Sequence, residues 1–186
     1  YQRPQHLASR LGQRWPVLWI EPATLGAPRK WTPEKKMDGL WLLTLPQFPH
    51  NARNAALRVV SKVLSSITFF RWLLHIVQAF LLRRACRKLG ITPSATPAVV
   101  QNFQFAPLVE RIQPAAVLFD YIDDAFGFID IAAYVRTDWK MMVGLADAIT
   151  TTSGVLQRQC MDQKNGSVVH LLENGVDAGA YAVSTT

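Results

Sequence analysis

The sequence predicts an α/β domain: a doubly wound, mostly parallel sheet with helices on both faces. Three observations carry this. Short runs rich in Val, Ile and Leu alternate with longer stretches of helical periodicity. The runs are apolar almost throughout, as strands covered on both faces are, instead of alternating with polar residues. Each run also ends in proline or a polar cluster, which is how a buried strand leaves a sheet.

The elements follow in order. Arg3 to Arg14 reads as a helix: Pro4 suits its first turn, and Leu7, Ala8 and Leu11 recur at helical spacing before Gly12. VLWIEP, Val17 to Pro22, is a strand stopped by proline. The Pro-, Gly- and Lys-bearing stretch from Ala23 to Gly39 reads as a surface loop, and LWLLTL, Leu40 to Leu45, as the next strand. Ala55 to Leu89 lacks proline and glycine and holds the longest helical pattern, broken near Ser65 and Ser66. Its end is well signalled. Arg83, Arg84, Arg87 and Lys88 suit the negative end of the helix dipole, Gly90 caps it and Pro93 stops it.

PAVVQNF (Pro97 to Phe103) is a strand, APLVERIQ (Ala106 to Gln113) a short helix and AAVLFD (Ala115 to Asp120) a strand. Ile129 to Ala146 is helical, AITTTS (Ala148 to Ser153) a strand, and Gly154 to Lys164 a helix. SVVHLL (Ser167 to Leu172) is the last strand, ended by ENGVD. A doubly wound sheet usually begins with the strand that becomes its centre, whereas this chain opens on a helix. A first, central strand is therefore expected upstream of Tyr1.

Composition bounds the function. Of the 186 residues 49% are apolar and 18% charged, which is a globular composition. Cys86 and Cys160 stand far apart in no metal-ligand spacing and fit a reducing compartment. Net charge is +7, and its distribution says more than its size: no acidic residue lies between Asp38 and Glu110, an interval that carries Arg53, Arg58, Lys62, Arg71, Arg83, Arg84, Arg87 and Lys88. Such segregation points to an anionic partner, whether nucleic acid, phospholipid or a phosphorylated substrate.

In such folds ligands gather at the carboxyl ends of the strands. The stretch VLFDYIDDAFGF, Val117 to Phe128, drives three carboxylates to one such end. Asp120-x-x-Asp123-Asp124 matches neither a metal-binding DxD nor a phosphatase motif. Asp120, last on its strand, suits substrate hydroxyls or the support of a catalytic neighbour. Asp123 or Asp124 suits the positive end of the next helix. Asn102 marks another strand end. Of the histidines, His50 reaches the rim, His6 lies in the first helix, His75 reads as a packed or surface helix residue, and His170 as core. No pair has zinc spacing, and GxGxxG, GxxxxGK[ST] and GxSxG are all missing. No metal and no cofactor is expected.

RPQHLASRL, FDYIDD, ADAITTTSGVLQRQ and LLENGVD occur in a telling order. The series resembles the N-terminal, acceptor-side domain of GT-B-fold glycosyltransferases, the family 4-like group that includes teichuronic-acid and other bacterial polysaccharide transferases. The match is strongest at Arg3-Pro4-Gln5-His6, at Asp120 to Asp124, and at Ala146 to Ser153 with Asn174-Gly175-Val176-Asp177. The resemblance implies two Rossmann-like domains facing across a cleft, with a sugar passing from a nucleotide diphosphate-sugar to an acceptor hydroxyl without a DxD metal. It places Arg3, Gln5 and His6, with Asn174 and Gly175, beside the donor diphosphate or cleft. Tyr121, Asp123, Asp124 and Asn102 fall on the acceptor side, with Asp120 and His50 as catalytic candidates. It makes residues 1–174 the domain and 175–186 the start of a linker to a donor-binding domain. This piece alone is expected to be inactive.

The acid-free helix then has a candidate purpose. SITFFRWLLHIVQAFLLRRACRK mixes aromatic, aliphatic and basic residues but is interrupted by Arg71, His75 and Gln78, which falls short of a membrane span. A helix of this kind can lie in the headgroup layer, with Arg71, Trp72, Arg83, Arg84, Arg87 and Lys88 as its membrane face. A core helix with merely solvated Lys and Arg stands against that. The reading is a peripheral enzyme on the inner face of the cytoplasmic membrane, acting on a lipid-linked or polysaccharide acceptor in cell-envelope synthesis. A non-catalytic module binding nucleic acid or an anionic surface is the alternative, with nucleic acid less expected, and a nucleotide-sugar epimerase is a lesser one.

Overall fold

A computed structural model describes residues 3–23, 31–48, 54–124, 126–127, 133–163 and 168–175. His50, Val176 and Asp177 lie outside the described residues, and of Arg3 only the backbone is described.

The architecture is α/β, as the alternation of apolar runs and helices predicts. Helix α1 (Arg3–Gly12) leads into strand β1 (Val17–Pro22). Strands β2 (Glu34–Met37) and β3 (Leu40–Leu45) follow, then helices α2 (Ala55–Ser66) and α3 (Thr68–Leu89). The second half runs β4 (Ala98–Val100), α4 (Ala106–Ile112), β5 (Val117–Tyr121), α5 (Ala133–Leu145), β6 (Ala148–Thr151), α6 (Gly154–Gln163) and β7 (Val169–Leu171). Strands β4-β5-β6-β7 form an all-parallel sheet in that order, each joined to the next by a helical crossover. Strands β1-β3-β2 form a second sheet, in which β1 is parallel to β3 and β2 antiparallel to it.

Strand β2 corrects the sequence reading, which made Ala23 to Gly39 a loop. EKKM carries no apolar pattern because every residue is exposed, and only its pairing along the edge of β3 makes it a strand. Gly39 closes the β2–β3 turn with φ +75°, and a Cβ there would come within 2.0 Å of the Gly12 carbonyl oxygen. Only glycine fits. This contact seats the C-terminus of α1 against the start of β3.

Helix boundaries follow local chemistry. The Asn54 side chain caps α2 by accepting from Ala56 N (2.9 Å) and Leu57 N (3.3 Å). Ile67 takes an extended conformation (φ −90°, ψ 114°), and α2 and α3 meet there at 91°. The expected break near Ser65 and Ser66 is thus one residue further on. Gly90, left-handed at φ 68°, ends α3 after Arg87 and Lys88.

The interior divides into two apolar clusters. One gathers Phe119, Tyr121 and Ile149 from the parallel sheet with Trp139, Met142 and Val143 of α5 and Leu156 and Cys160 of α6. The other joins Leu43 and Leu45 of β3 to Ala79, Leu82, Ala85 and Cys86 of α3 and Leu108 of α4. A fully buried leucine such as Leu43 contributes roughly 1.5–3 kcal/mol. His170 is exposed, not core, and among the described residues β7 pairs with β6 alone.

Candidate functional site

The carboxyl ends of the strands carry most of the polar residues singled out in the sequence, but the structure gives them different tasks. Asp120 is 2% exposed. Gln101 Nε2 donates to its Oδ2 at 2.8 Å and Thr150 Oγ1 to its Oδ1 at 2.7 Å, so the carboxylate ties the exit of β4 to β6. It stands beneath the rim and supports it. Tyr121 is 1% exposed; its ring stacks on Phe119 and tilts against Trp139, and its hydroxyl donates to Gln159 Oε1 at 3.3 Å. The ring belongs to the core. Asp123 is exposed. Asp124 Oδ1 accepts from Phe126 N at 2.9 Å, closing a turn, whereas α5 as described begins only at Ala133. Asn102 Oδ1 accepts from Gln104 N at 3.0 Å and turns the chain out of β4.

Gln5 and His6 are exposed near the start of α1, and Asn174 and Gly175 are exposed beyond β7. Among the described residues no group of three His, Cys, Asp or Glu side chains gathers as a metal site would need.

A pocket that the sequence did not announce lies where β3 and β4 end. Gln47 and Phe48 after β3, Gln104 and Phe105 after β4, Arg71, Leu74, His75 and Gln78 of α3, and Tyr134 and Asp138 of α5 line it. Gln47 Nε2 donates to Gln104 Oε1, joining the two strand exits. The Arg71 guanidinium donates to Asp138 Oδ1, and its Cζ stands 4.4 Å from the centre of the Tyr134 ring. This corrects the placing of Arg71 on a membrane face: its side chain is only 18% exposed and is clasped by a carboxylate from another helix.

His75, 8% exposed, sits one turn further along α3. Its Nδ1 lies 2.9 Å from Gln78 Oε1, and Gln78 Nε2 donates to the Pro46 carbonyl at 2.7 Å. With Gln78 so oriented, Nδ1 carries the proton and Nε2 keeps the lone pair. Burial, opposed by the Gln78 hydrogen bond and aided by Arg71 and Arg111, holds the imidazole below the usual value of 6.5. The pocket therefore presents a neutral imidazole, a clasped guanidinium and two side-chain amides.

The His75 shift carries a pH dependence. Above pH 6.5 the ring is neutral in both folded and unfolded chains and costs nothing. Below it the unfolded chain takes up a proton that the folded one resists, so stability falls as the pH drops from 6.5 toward the lowered folded value. Thermal melts from pH 7.5 down to 5 are expected to show this loss, with His75→Gln flattening that part of the profile.

Beside the pocket the α2–α3 hairpin presents an unusual surface. Val59 (61%), Val63, Ile67, Phe69 (59%), Trp72, Leu73 and Phe80 (58%) are all exposed, with Val60, Leu57, Phe70 and Val77 between them. Phe69 packs on both Phe70 and Trp72. Scattered apolar residues need no explanation, but so many on two successive helices suit a contact surface. Arg84, Arg87 and Lys88 are exposed in the last turns of α3, as is Arg83, whose Nη2 also donates to the Arg111 carbonyl. No single helix among the described residues is long and apolar enough to cross a membrane; the bent pair α2 and α3 reaches that length and composition only together.

No protein-family model matches the chain, and no curated protein is significantly similar to it.

Proposed function

We propose that the chain is the acceptor-side domain of a nucleotide-sugar glycosyltransferase that works at an anionic membrane surface on a lipid-linked or polysaccharide acceptor. The observation that carries this reading is the adjacency of the polar pocket to the apolar, acid-free α2–α3 hairpin. An acceptor with a sugar head and a lipid tail has the same division. The amides of Gln47 and Gln104 and the Nε2 lone pair of His75 would meet hydroxyls, while Phe69, Phe70 and Trp72 would meet acyl chains. The parallel sheet supports the reading at the level of fold, because ligands of such sheets sit at the strand exits where this pocket opens. Gln5 and His6 would face the donor diphosphate at the start of α1, the positive end of its helix dipole. Asn174 and Gly175 would lead toward a donor-binding domain.

The test uses the full-length protein with a panel of nucleotide-sugars, nucleotide release being measured with and without membrane lipid extract. Release with one donor is expected to require the extract. In a Gln47→Leu, Gln104→Leu variant it is expected to fall about tenfold or more, since hydrogen bonds to hydroxyls are each worth about 1 kcal/mol. Absence of release with every donor, together with salt-sensitive binding to single-stranded nucleic acid, would overturn the proposal in favour of a basic binding module.

A further inference from the structure

From Val59 to Phe80 the α2–α3 hairpin is built inside out. A surface helix of a protein in water turns its apolar stripe toward the core and its polar residues outward. In α2 the buried positions are Ser61 and Ser65, whereas Val59, Val60 and Val63 are exposed. The first half of α3 repeats the inversion. Arg71, His75 and Gln78 point inward, and Phe69, Phe70, Trp72, Leu73, Val77 and Phe80 are exposed. The inward groups are met by the protein. Ser65 Oγ donates to the Lys62 carbonyl at 3.0 Å, Asp138 holds Arg71, and His75 is hydrogen-bonded to Gln78, which donates to the Pro46 carbonyl.

Beyond Phe80 the same helix has the ordinary sense. Leu82, Ala85 and Cys86 are buried, while Arg83, Arg84, Arg87 and Lys88 are exposed. The two patterns meet within about one turn of one continuous helix. The surroundings change there, and the fold does not.

An inverted helix is stable where the medium outside is as apolar as a core. In lipid, small hydroxylated residues face the protein, ionisable ones pair inward and large apolar ones face out. A protein partner fits this surface less well. Successive residues on a helix point about 100° apart, so Phe69 and Phe70 look to different sides, as do Trp72 and Leu73. Helix α2 also stands at 91° to α3. No flat face covers all of these; fluid acyl chains do.

Charge selects the same medium. Arg84, Arg87 and Lys88 follow Phe80 within about two turns, where cations would meet lipid phosphates. Few exposed polar residues interrupt the inverted stretch. Ser66 Oγ returns to the Lys62 carbonyl at 2.7 Å, Thr68 lies at the elbow, and the long stem of Lys62 lets its ammonium reach toward headgroups.

We infer that the hairpin is immersed, elbow first, in one leaflet of an anionic bilayer, and that the boundary of the hydrocarbon core crosses α3 between Phe80 and Arg83. From Ile67 to Phe80 the helix rises about 20 Å, which at a slant fits the roughly 15 Å of one leaflet. The hairpin enters the bilayer without crossing it. Immersion goes beyond the surface contact assigned above, and it holds whatever reaction the chain serves.

The experiment reads depth. Val63→Cys, Phe69→Cys, Leu73→Cys, Phe80→Cys, Arg84→Cys and Lys88→Cys are made one at a time in the full-length protein and labelled with a nitroxide, Cys86 and Cys160 being buried. Collisions with a water-soluble nickel chelate are measured before and after addition of phosphatidylglycerol–phosphatidylcholine vesicles. Labels between 63 and 80 are expected to lose about tenfold or more of these collisions on vesicles, while those at 84 and 88 keep theirs. The bound protein is expected to stay with the vesicles in high salt. Labels between 63 and 80 that remain open to the chelate on vesicles would overturn the inference in favour of surface docking. Shielding present before vesicles are added would overturn it in favour of a second copy of the chain, and so would a failure to bind vesicles at all.

Discussion

Replacing Asp138 with alanine is expected to destabilise the fold by about 3 kcal/mol, lowering Tm by roughly 6–12 °C for a chain of this size. The carboxylate side chain is 4% exposed and grips Arg71, itself 18% exposed and held over Tyr134. Taking one partner away leaves a guanidinium largely shielded from water with nothing to offset its desolvation. The cost arises from the orphaned charge rather than from any large intrinsic worth of the pair. Arg71→Met with Asp138→Leu should therefore lose much less than either single change, and a double-mutant cycle read by chemical denaturation checks this.

Burial raises the Asp138 pKa even though Arg71, by charge and hydrogen bond, pulls the other way. The sign is opposite to that of His75. A carboxyl raised in the folded state favours folding below 3.8, and that contribution is lost as the pH climbs through the raised value. A single-change stability comparison at pH 7 against pH 4.5 should therefore widen the penalty of Asp138→Ala at the lower pH. An unchanged penalty would mean that Asp138 takes up its proton alike in the folded and unfolded chains.

The second large effect is expected on membrane binding. Phe69→Ser, Trp72→Ser and Val63→Ser together should weaken binding to vesicles of anionic phospholipid by about 100-fold or more, since each exposed side chain contributes on the order of 1 kcal/mol when it enters the acyl boundary. All three residues are exposed in the folded chain, so melting temperature should barely move. Neutralising Arg84, Arg87 and Lys88 should act differently. Each charge is worth about 1 kcal/mol at a negative surface, and the loss should vanish in high salt. Co-sedimentation across a salt series separates the two. Vesicle binding unmoved by the triple serine change would remove the hairpin from the interface.

The alternation of strands and helices was legible because the buried runs, VLWI, LWLL, VLF and AIT, are largely apolar and helices α1 and α3 announce their ends with Pro4, Gly12, Gly90 and Pro93. Strand β2 was not legible because an exposed edge needs no apolar side chain. The site was legible by position and not by role. Asp120 lies one residue before the end of its strand, which closes on Tyr121, and whether an aspartate there faces solvent depends on whether donors stand beneath it. Gln101 and Thr150, 19 and 30 residues away in sequence, supply them. Asp138 was missed because in AYVRTDWKMM a lone acid looks like the wet side of a helix. Its partner is 67 residues distant, and no periodicity within α5 carries that information. His75 was read as a packed or surface residue, which its burial accords with, but its link through Gln78 to Pro46 depends on where β3 ends.

The two apolar clusters have a consequence for how this molecule can be watched. Each holds one free cysteine: Cys160 in the cluster of the parallel sheet and Cys86 in that of β3 and α3. Burial raises both thiols, Cys160 to about 11, so neither is reactive while its cluster stays shut. A pulse of alkylating reagent thus reads the opening of each half separately, and the ratio of the two labels tells whether they breathe as one unit or as two.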